Sequence, residues 1–295
     1  MTSKTINEMG VGIYQITADM VNGDPAVVAK RAEELGFASY WLPEHAVFPQ
    51  GPFEQQCPAA TPNNPLPDFL YKMADPFVGL ARASGVTSTI KLGTGIALTP
   101  ERNPLVAAKE IATLDHYSGG RFLYGIGAGW NEVACTLLGG DFPHRWTQVK
   151  EAIHVMRLLW SGEFVEHHGH YYDFPKVVCR PTPSQPKGPP VLLASVDNER
   201  ALKRVGQWGD GWLPFLTDPQ DLADGKAAIS GHAIEAGRDP EALDMSLFAP
   251  PGMFRTKSEL KEVAKAGGDN TILWLMGKDE KEILAEIEDI AADVF

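Results

Sequence analysis

Short runs of apolar residues alternate with amphipathic helical stretches along the whole chain of 295 residues. Eight of these runs have the length and composition of buried strands. They cover residues 11–16, 39–42, 90–98, 122–126, 191–194, 211–214, 244–248 and 271–276. Each is followed by a predicted helix, over residues 25–35, 75–83, 104–116, 145–160, 198–208, 219–236, 258–266 and 279–292. The first helix is predicted to have Asp24 as its N-cap, Pro25 at its first position and Gly36 at its end. Strands and helices that alternate in this way form a parallel sheet covered by the helices.

Eight such repeats predict a (β/α)8 TIM barrel of the α/β class. We expect residues 1–295 to form a single domain, because no linker-like composition interrupts the alternation. An open doubly wound sheet is the alternative, but no Gly-x-Gly-x-x-Gly motif opens a helix directly after the first strand. Two insertions are predicted: the segment 46–72 after strand two, which is rich in proline, and a hairpin over residues 163–180 after strand four.

Acidic residues outnumber basic ones, 38 to 26, which gives a formal net charge of −12. Such a surface repels phosphate backbones and anionic lipid headgroups, so we expect neither nucleic acid nor a membrane as a partner. The three cysteines show no paired spacing and no Cys-x-x-Cys motif, which favours reduced thiols and a cytoplasmic protein. The histidines at 167, 168 and 170 match no structural zinc pattern, and no metal site is predicted.

The residues just past the barrel strands should line the active site. Strand two ends at Glu44 and His45, a carboxylate and an imidazole that could hold a polar ligand edge or move a proton. Gly93 and Gly95 at strand three suggest that a flat group approaches the backbone. At strand four, residues 125–129 carry alternate glycines that could leave room for a ring system, without the Gly-Lys-Ser/Thr ending of a phosphate loop.

Six short motifs occur in an order that is more specific than any one of them alone. They are PEH (43–45), LGTGI (92–96), NP (103–104), GGRF (119–122), GAGWNE (127–132) and RLLWSG (157–162). Together they resemble the luciferase-like monooxygenase superfamily, and within it the branch of coenzyme F420-dependent oxidoreductases. The resemblance covers nearly the whole chain and is best between residues 10 and 175.

This resemblance implies a barrel that binds F420, or alternatively FMN, at the carboxyl ends of its strands. It implies a non-prolyl cis peptide bond between Gly95 and Ile96, behind the ring of the cofactor. His45 would donate or accept the proton beside the reacting carbon, and Glu44 would position His45 or the ring. The residues implied to bind the cofactor are Glu44, His45, Thr94, Gly95, Ile96, Gly127, Asn131, Ala194 and Ser195.

The chain departs from the family after strand five, where many members carry a glycine-rich turn that receives the cofactor phosphate. Here residues 194–200 lack those glycines and place Asp197 and Glu199 in the turn, although Ser195 can still donate to an anion at the helix N-terminus. Arg145 could reach the phosphate or serve only local capping and pairing.

The leading prediction is hydride transfer between F420 and an unidentified small organic substrate, with the segment 46–72 and the hairpin 163–180 as walls or lids. An FMN-dependent monooxygenase is the alternative enzyme, and a binding barrel that has lost its cofactor is the alternative outside enzymes. From the resemblance we also expect that the protein could form a homodimer.

Overall fold

The computed structural model describes residues 8–18, 23–49, 57, 63 and 67–295. The strands are β1 (Gly10–Tyr14), β2 (Ser39–Leu42), β3 (Lys91–Thr94), β4 (Ala97–Leu98), β5 (Phe122–Gly127), β6 (Val165–His168), β7 (Asp173–Val177), β8 (Val191–Leu193), β9 (Gly211–Trp212), β10 (Asp244–Phe248) and β11 (Asn270–Trp274). The helices are α1 (Pro25–Leu35), α2 (Pro76–Ser84), α3 (Pro104–Ser118), α4 (Glu132–Leu137), α5 (Arg145–Trp160), α6 (Glu199–Trp208), α7 (Pro219–Glu235), α8 (Lys257–Lys265) and α9 (Glu280–Val294).

The large sheet closes on itself as a parallel barrel. Its strands are hydrogen-bonded in the order β3, β2, β1, β11, β10, β9, β8 and β5, and β5 pairs with β3 to complete the ring. The predicted (β/α)8 TIM barrel is confirmed, and closure excludes the open doubly wound alternative. A barrel of parallel strands gathers all the carboxyl ends at one rim, which is where a site can form from distant parts of the chain.

The predicted third strand is divided into β3 and β4 by the peptide between Gly95 and Ile96, which is cis as the resemblance implied. The predicted hairpin is present, because β6 and β7 pair antiparallel between α5 and β8. The short helix α4 was not predicted. The segment 46–72 ends in a 3₁₀ helix at Asp68–Lys72, and its residues 50–56, 58–62 and 64–66 lie outside the described residues.

Local sequence signals fix the helix ends. Asp24 caps α1 by accepting a hydrogen bond from the amide of Ala26, and Pro25 occupies the first helical position, as predicted. Gly36 ends α1 in the left-handed region at φ 94°, where a residue without Cβ fits.

The barrel interior is filled by Trp41, which is fully buried and packs edge-to-face against Phe248 with ring centroids 5.8 Å apart. A Cβ on Gly93 would lie 2.1 Å from Cε3 of Trp41. Gly93 is therefore needed because the indole ring occupies the space beside it, and the ligand approach suggested by the sequence does not apply at this position.

Candidate active site

A pocket of about 470 Å³ opens at the carboxyl ends of the barrel strands. It is lined from several sides of the rim, by Tyr14 at the end of β1, His45 after β2, Ile96 between β3 and β4, Trp130 after β5 and Trp274 at the end of β11. This volume lies in the range of pockets that hold cofactors and small ligands. The predicted position of the site is thus where the structure has its pocket.

His45 is held among aromatic rings. Its ring centroid lies 4.5 Å from that of Phe48 and 5.6 Å from that of Trp130. The indole N–H of Trp130 donates to Nε2 of His45 at 3.3 Å, while Nδ1 is buried without a hydrogen-bond partner among the described residues. Burial lowers the pKa of His45 to about 4, so the ring is neutral near pH 7. Since an indole N–H only donates, the single ring proton of neutral His45 is on Nδ1.

Glu44 lies at the pocket wall but is occupied by the protein itself. Its Oε2 accepts the backbone N–H of Leu98 at 2.7 Å, and its Oε1 accepts Nε of Arg102 at 2.6 Å. Arg102 also bonds Asp75 at 2.5 Å and Glu110 at 3.2 Å. Burial raises the pKa of Glu44, and the Arg102 guanidinium opposes that rise. Sequence reasoning missed Arg102, although it directly precedes the NP motif and lies close to a strand end.

The Gly95–Ile96 peptide and Gly127 form one wall of the pocket. A Cβ on Gly127 would lie 2.3 Å from Cδ1 of Ile96, and one on Gly125 would lie 2.1 Å from the carbonyl oxygen of Thr94. The alternate glycines therefore let β5 approach the neighbouring chain closely. The interpretation that Gly125 leaves room for a ring is wrong, because that space is already filled by Thr94.

Two of the predicted cofactor residues do not line the pocket. Thr94 is fully buried and donates its hydroxyl to the carbonyl of Gly125 at 2.7 Å. Asn131 is buried and caps α4, its Oδ1 accepting the amide of Ala134 at 3.0 Å. The Nδ2 of Asn131 is buried without a hydrogen-bond partner among the described residues. Glu44, His45, Gly95, Ile96, Gly127, Ala194 and Ser195 do line the pocket.

Arginine side chains give one end of the pocket a positive charge. Arg145 and Arg204 both line it, from the start of α5 and the middle of α6. The guanidinium of Arg204 stacks over the ring of Trp146, 4.9 Å from its centroid. Burial and the nearby charges of Arg200 and Arg145 lower the pKa of Arg204, which shows that the three cations are close enough to repel one another. Such a cluster of guanidinium groups can bind an anion through charge-assisted hydrogen bonds.

The turn after β8 meets this cationic end. Ser195 lines the pocket and its Oγ accepts the indole N–H of Trp212 at 3.1 Å, which leaves its hydroxyl hydrogen available. Asn198 caps α6 through the amide of Ala201, and exposed Glu199 pairs with His232 at 3.0 Å. Arg145 was one of the expected candidates for the phosphate, whereas Arg204 was not predicted, although the spacing of Arg200 and Arg204 at i and i+4 on one helix face was a usable signal.

The opposite wall is aromatic. Trp274 packs edge-to-face against Tyr14, Phe69 and Phe215, with centroid distances of 5.2, 6.3 and 6.0 Å. Met73 lines the pocket beside them. Phe69 of this wall belongs to the segment 46–72, as predicted, and Met73 directly follows that segment. The hairpin 163–180 contributes none of the described lining residues; it packs on α5, where Glu151 accepts the amides of Tyr171 and Tyr172.

Within the described part of the chain, no three histidine, cysteine or acidic side chains are grouped so that they could hold a metal ion. No helix in that part has the length and apolar character needed to cross a membrane. Cys57, Cys135 and Cys179 are all buried.

The family model of luciferase-like monooxygenases matches residues 23–292. An uncharacterised protein of Mycobacterium tuberculosis is 32% identical over 285 residues, covering 96% of this chain and 98% of its own. The F420-dependent hydroxymycolic acid dehydrogenase of the same organism is 32% identical over 251 residues, covering 82% of this chain and 63% of its own.

Two solved structures show the same fold at low identity. The coenzyme F420 dependent tetrahydromethanopterin reductase of Methanopyrus kandleri superposes with a TM-score of 0.71 at 20% identity, covering 97% of this chain and 98% of its own. The oxygenating constituent of 3,6-diketocamphane monooxygenase from Pseudomonas putida, in complex with FMN, has a TM-score of 0.64 at 20% identity, covering 81% and 66%.

Proposed function

Because the chain belongs to the luciferase-like monooxygenase family, we propose that it is an oxidoreductase that uses coenzyme F420 to transfer hydride to or from a small organic substrate. The observation that carries this proposal is the polarity of the pocket: a cationic end at Arg145 and Arg204, and an aromatic end at Trp274. A cofactor with a ring and a phosphate-bearing tail has the same polarity. The named F420-dependent relatives support F420 over FMN.

The residues present fit such a cofactor. Arg145, Arg204 and the hydroxyl of Ser195 would hold the phosphate, at the N-terminal side of α6. The exposed carboxylate of Glu199 pairs with His232, which offsets part of the repulsion between the acidic turn and the phosphate. The wall of Gly95, Ile96 and Gly127 would support one face of the ring. F420, when bound, supplies two-electron hydride chemistry.

His45 is a polar side chain that lines the pocket between aromatic rings. In its neutral form it presents an Nδ1–H that lacks a partner among the described residues, so it can donate a hydrogen bond to a hydroxyl or carbonyl oxygen. Glu44 would act as a support, because both of its oxygens are engaged by Arg102 and Leu98. The aromatic wall around Trp274 would exclude water and favours a substrate with an apolar body.

The test of cofactor identity is a binding titration of the purified protein with F420 and, separately, with FMN. We expect F420 to bind more tightly, and Arg204→Ala to weaken that binding about tenfold by removing one charge-assisted contact. Arg31→Ala is the matched control, because Arg31 pairs with Glu288 away from the pocket. Preference for FMN would move the proposal to oxygen chemistry, and binding of neither would indicate a barrel that has lost its cofactor.

His45→Ala is expected to lower turnover about 100-fold while the cofactor dissociation constant stays unchanged, because His45 faces the substrate side of the pocket. Burial lowers the pKa of His45 to about 4, so the wild-type rate should show no inflection from this ring at its ordinary pKa of 6.5. The measurement is steady-state kinetics across pH, with His116→Ala on the exposed face of α3 as control. Equal losses of affinity and turnover would make His45 a cofactor ligand instead.

A further inference from the structure

Glu101 is a buried carboxyl group that the proposed function does not use. It ends a 3₁₀ turn, Thr99–Glu101, directly after β4, and its relative exposure is 7%. Neither Oε1 nor Oε2 has a hydrogen-bond partner among the described residues. Burying a carboxylate without hydrogen-bond partners costs more free energy than burying most other groups, so the presence of Glu101 at this position calls for an explanation.

The charges around Glu101 favour its protonated form. The neighbouring cation, Arg102, is already shared by the carboxylates of Glu44, Asp75 and Glu110. Glu101 is thus the fourth carboxyl group of a cluster with one guanidinium. Burial and the charge of Glu44 raise the pKa of Glu101 to about 7, against the opposing effect of Arg102. The proton is retained because the cluster already has more negative than positive charge.

Glu101 lies directly behind the pocket wall. An ideal Cβ on Gly129, a lining residue, would be 3.2 Å from Oε1 of Glu101. On the other sides, burial and the charge of Glu101 raise the pKa of the Cys135 thiol on α4. The Nε–H of Arg145 on α5 donates to the carbonyl of Gly129 at 3.1 Å. Only the backbone of a glycine therefore separates this carboxyl group from the pocket.

The lining groups themselves are poor proton donors near pH 7. His45 is neutral, Glu44 is held in its ion pair, and burial raises the pKa of Tyr14 far above its ordinary value. We propose that Glu101 is the proton reservoir of this pocket, holding the proton that a substrate oxygen takes up when its carbon accepts hydride. This inference rests on the proposed hydride transfer. Glu101 does not line the pocket, so its proton reaches the substrate through water and Glu101 is not a ligand of the substrate.

The step balances with reduced F420 as the hydride donor. Two electrons and one hydrogen nucleus reach the carbonyl carbon, a C–H bond forms, and the C=O π bond breaks. The substrate oxygen forms an O–H bond with a proton from a water molecule in the pocket, and that water regains a proton from the O–H of Glu101. Solvent returns a proton to the Glu101 carboxylate, and alcohol oxidation follows the reverse course.

The test uses Glu101→Gln, which keeps the shape and removes the exchangeable proton, with Glu110→Gln as the matched control from the same cluster. Infrared spectra of the cofactor-free protein across pH should contain a protonated carboxyl band that titrates near neutral pH. We expect this band in wild type and Glu110→Gln and not in Glu101→Gln. Its absence from wild type would overturn the reservoir regardless of which cofactor binds.

With F420 bound, the rate of carbonyl reduction should be about 100-fold lower in Glu101→Gln than in wild type, with an unchanged cofactor dissociation constant. The change of that rate with pH near 7, which is expected of wild type, should be missing from the variant. A variant that keeps the wild-type rate and pH profile would overturn the inference. Failure of F420 to bind wild type would instead refute the proposed function, and the infrared titration would still decide whether Glu101 holds a proton.

Discussion

Arg102→Ala is expected to lower the free energy of unfolding by about 3 to 5 kcal/mol, the usual loss when one partner of a buried ion pair is removed. The reason is Glu44, whose side chain is 2% exposed and would keep only the amide of Leu98 as a partner. Arg102 itself is 17% exposed, so water screens the pair weakly. Urea unfolding of wild type and variant near neutral pH measures the difference.

The loss should depend on pH in a way that identifies its cause. Without Arg102, the pKa of Glu44 rises further, and protonation at low pH removes the buried charge. The destabilisation should therefore be smaller at about pH 5 than at about pH 8. Adding Glu44→Gln to Arg102→Ala should recover part of the loss by removing that charge directly.

Arg31→Ala provides the control, because the Arg31–Glu288 pair is 36% and 52% exposed and such pairs contribute about 0 to 1 kcal/mol. If Arg102→Ala were no more destabilising than Arg31→Ala, the cluster would not stabilise the loop between β2 and α2, and the support assigned to Glu44 would be wrong.

The barrel could be predicted from the sequence because each element carried its own local signal. Asp24, Pro25 and Gly36 mark both ends of α1, and their roles in the structure are those that the sequence predicts. The predicted strand at 90–98 was less accurate, because the break lies at Gly95, which is packed against Phe248 and Tyr14 from distant parts of the chain. Helix α4 was missed because its six residues follow a glycine run and carry little periodicity.

The candidate site was predicted in position and only partly in composition. His45 could be placed at the pocket because it lies just past a strand, and Ile96 and Ser195 could be placed there because the resemblance implied them. Thr94 and Asn131 could not be distinguished from lining residues, because a buried residue at a strand end or a helix N-cap has the same sequence pattern as a residue that lines the pocket. Arg102 and Glu101 escaped notice because their importance comes from partners up to 58 positions away, which only the fold brings together.

Glu101→Gln is expected to stabilise the folded protein relative to wild type at alkaline pH and not at acidic pH. Burial raises the pKa of Glu101 to about 7, above its ordinary value of 4.5. As the pH rises, this carboxyl group therefore loses its proton in the unfolded chain before it does so in the folded protein. Neutral Glu101 contributes fully to stability below its ordinary pKa of 4.5, and this contribution is lost as the pH rises through about 7.

Glutamine remains neutral throughout, so the variant escapes that loss. The difference in unfolding free energy between Glu101→Gln and wild type should be about 2 kcal/mol more favourable to the variant at about pH 8 than at about pH 5. Urea unfolding at both values measures it, and Glu110→Gln, which is 38% exposed and bonded to Arg102, should show a smaller change. A pH-independent difference would mean that Glu101 ionises normally. A gain in stability coupled to a loss of turnover would mean that the chain keeps a destabilising carboxyl group because the reaction needs its proton.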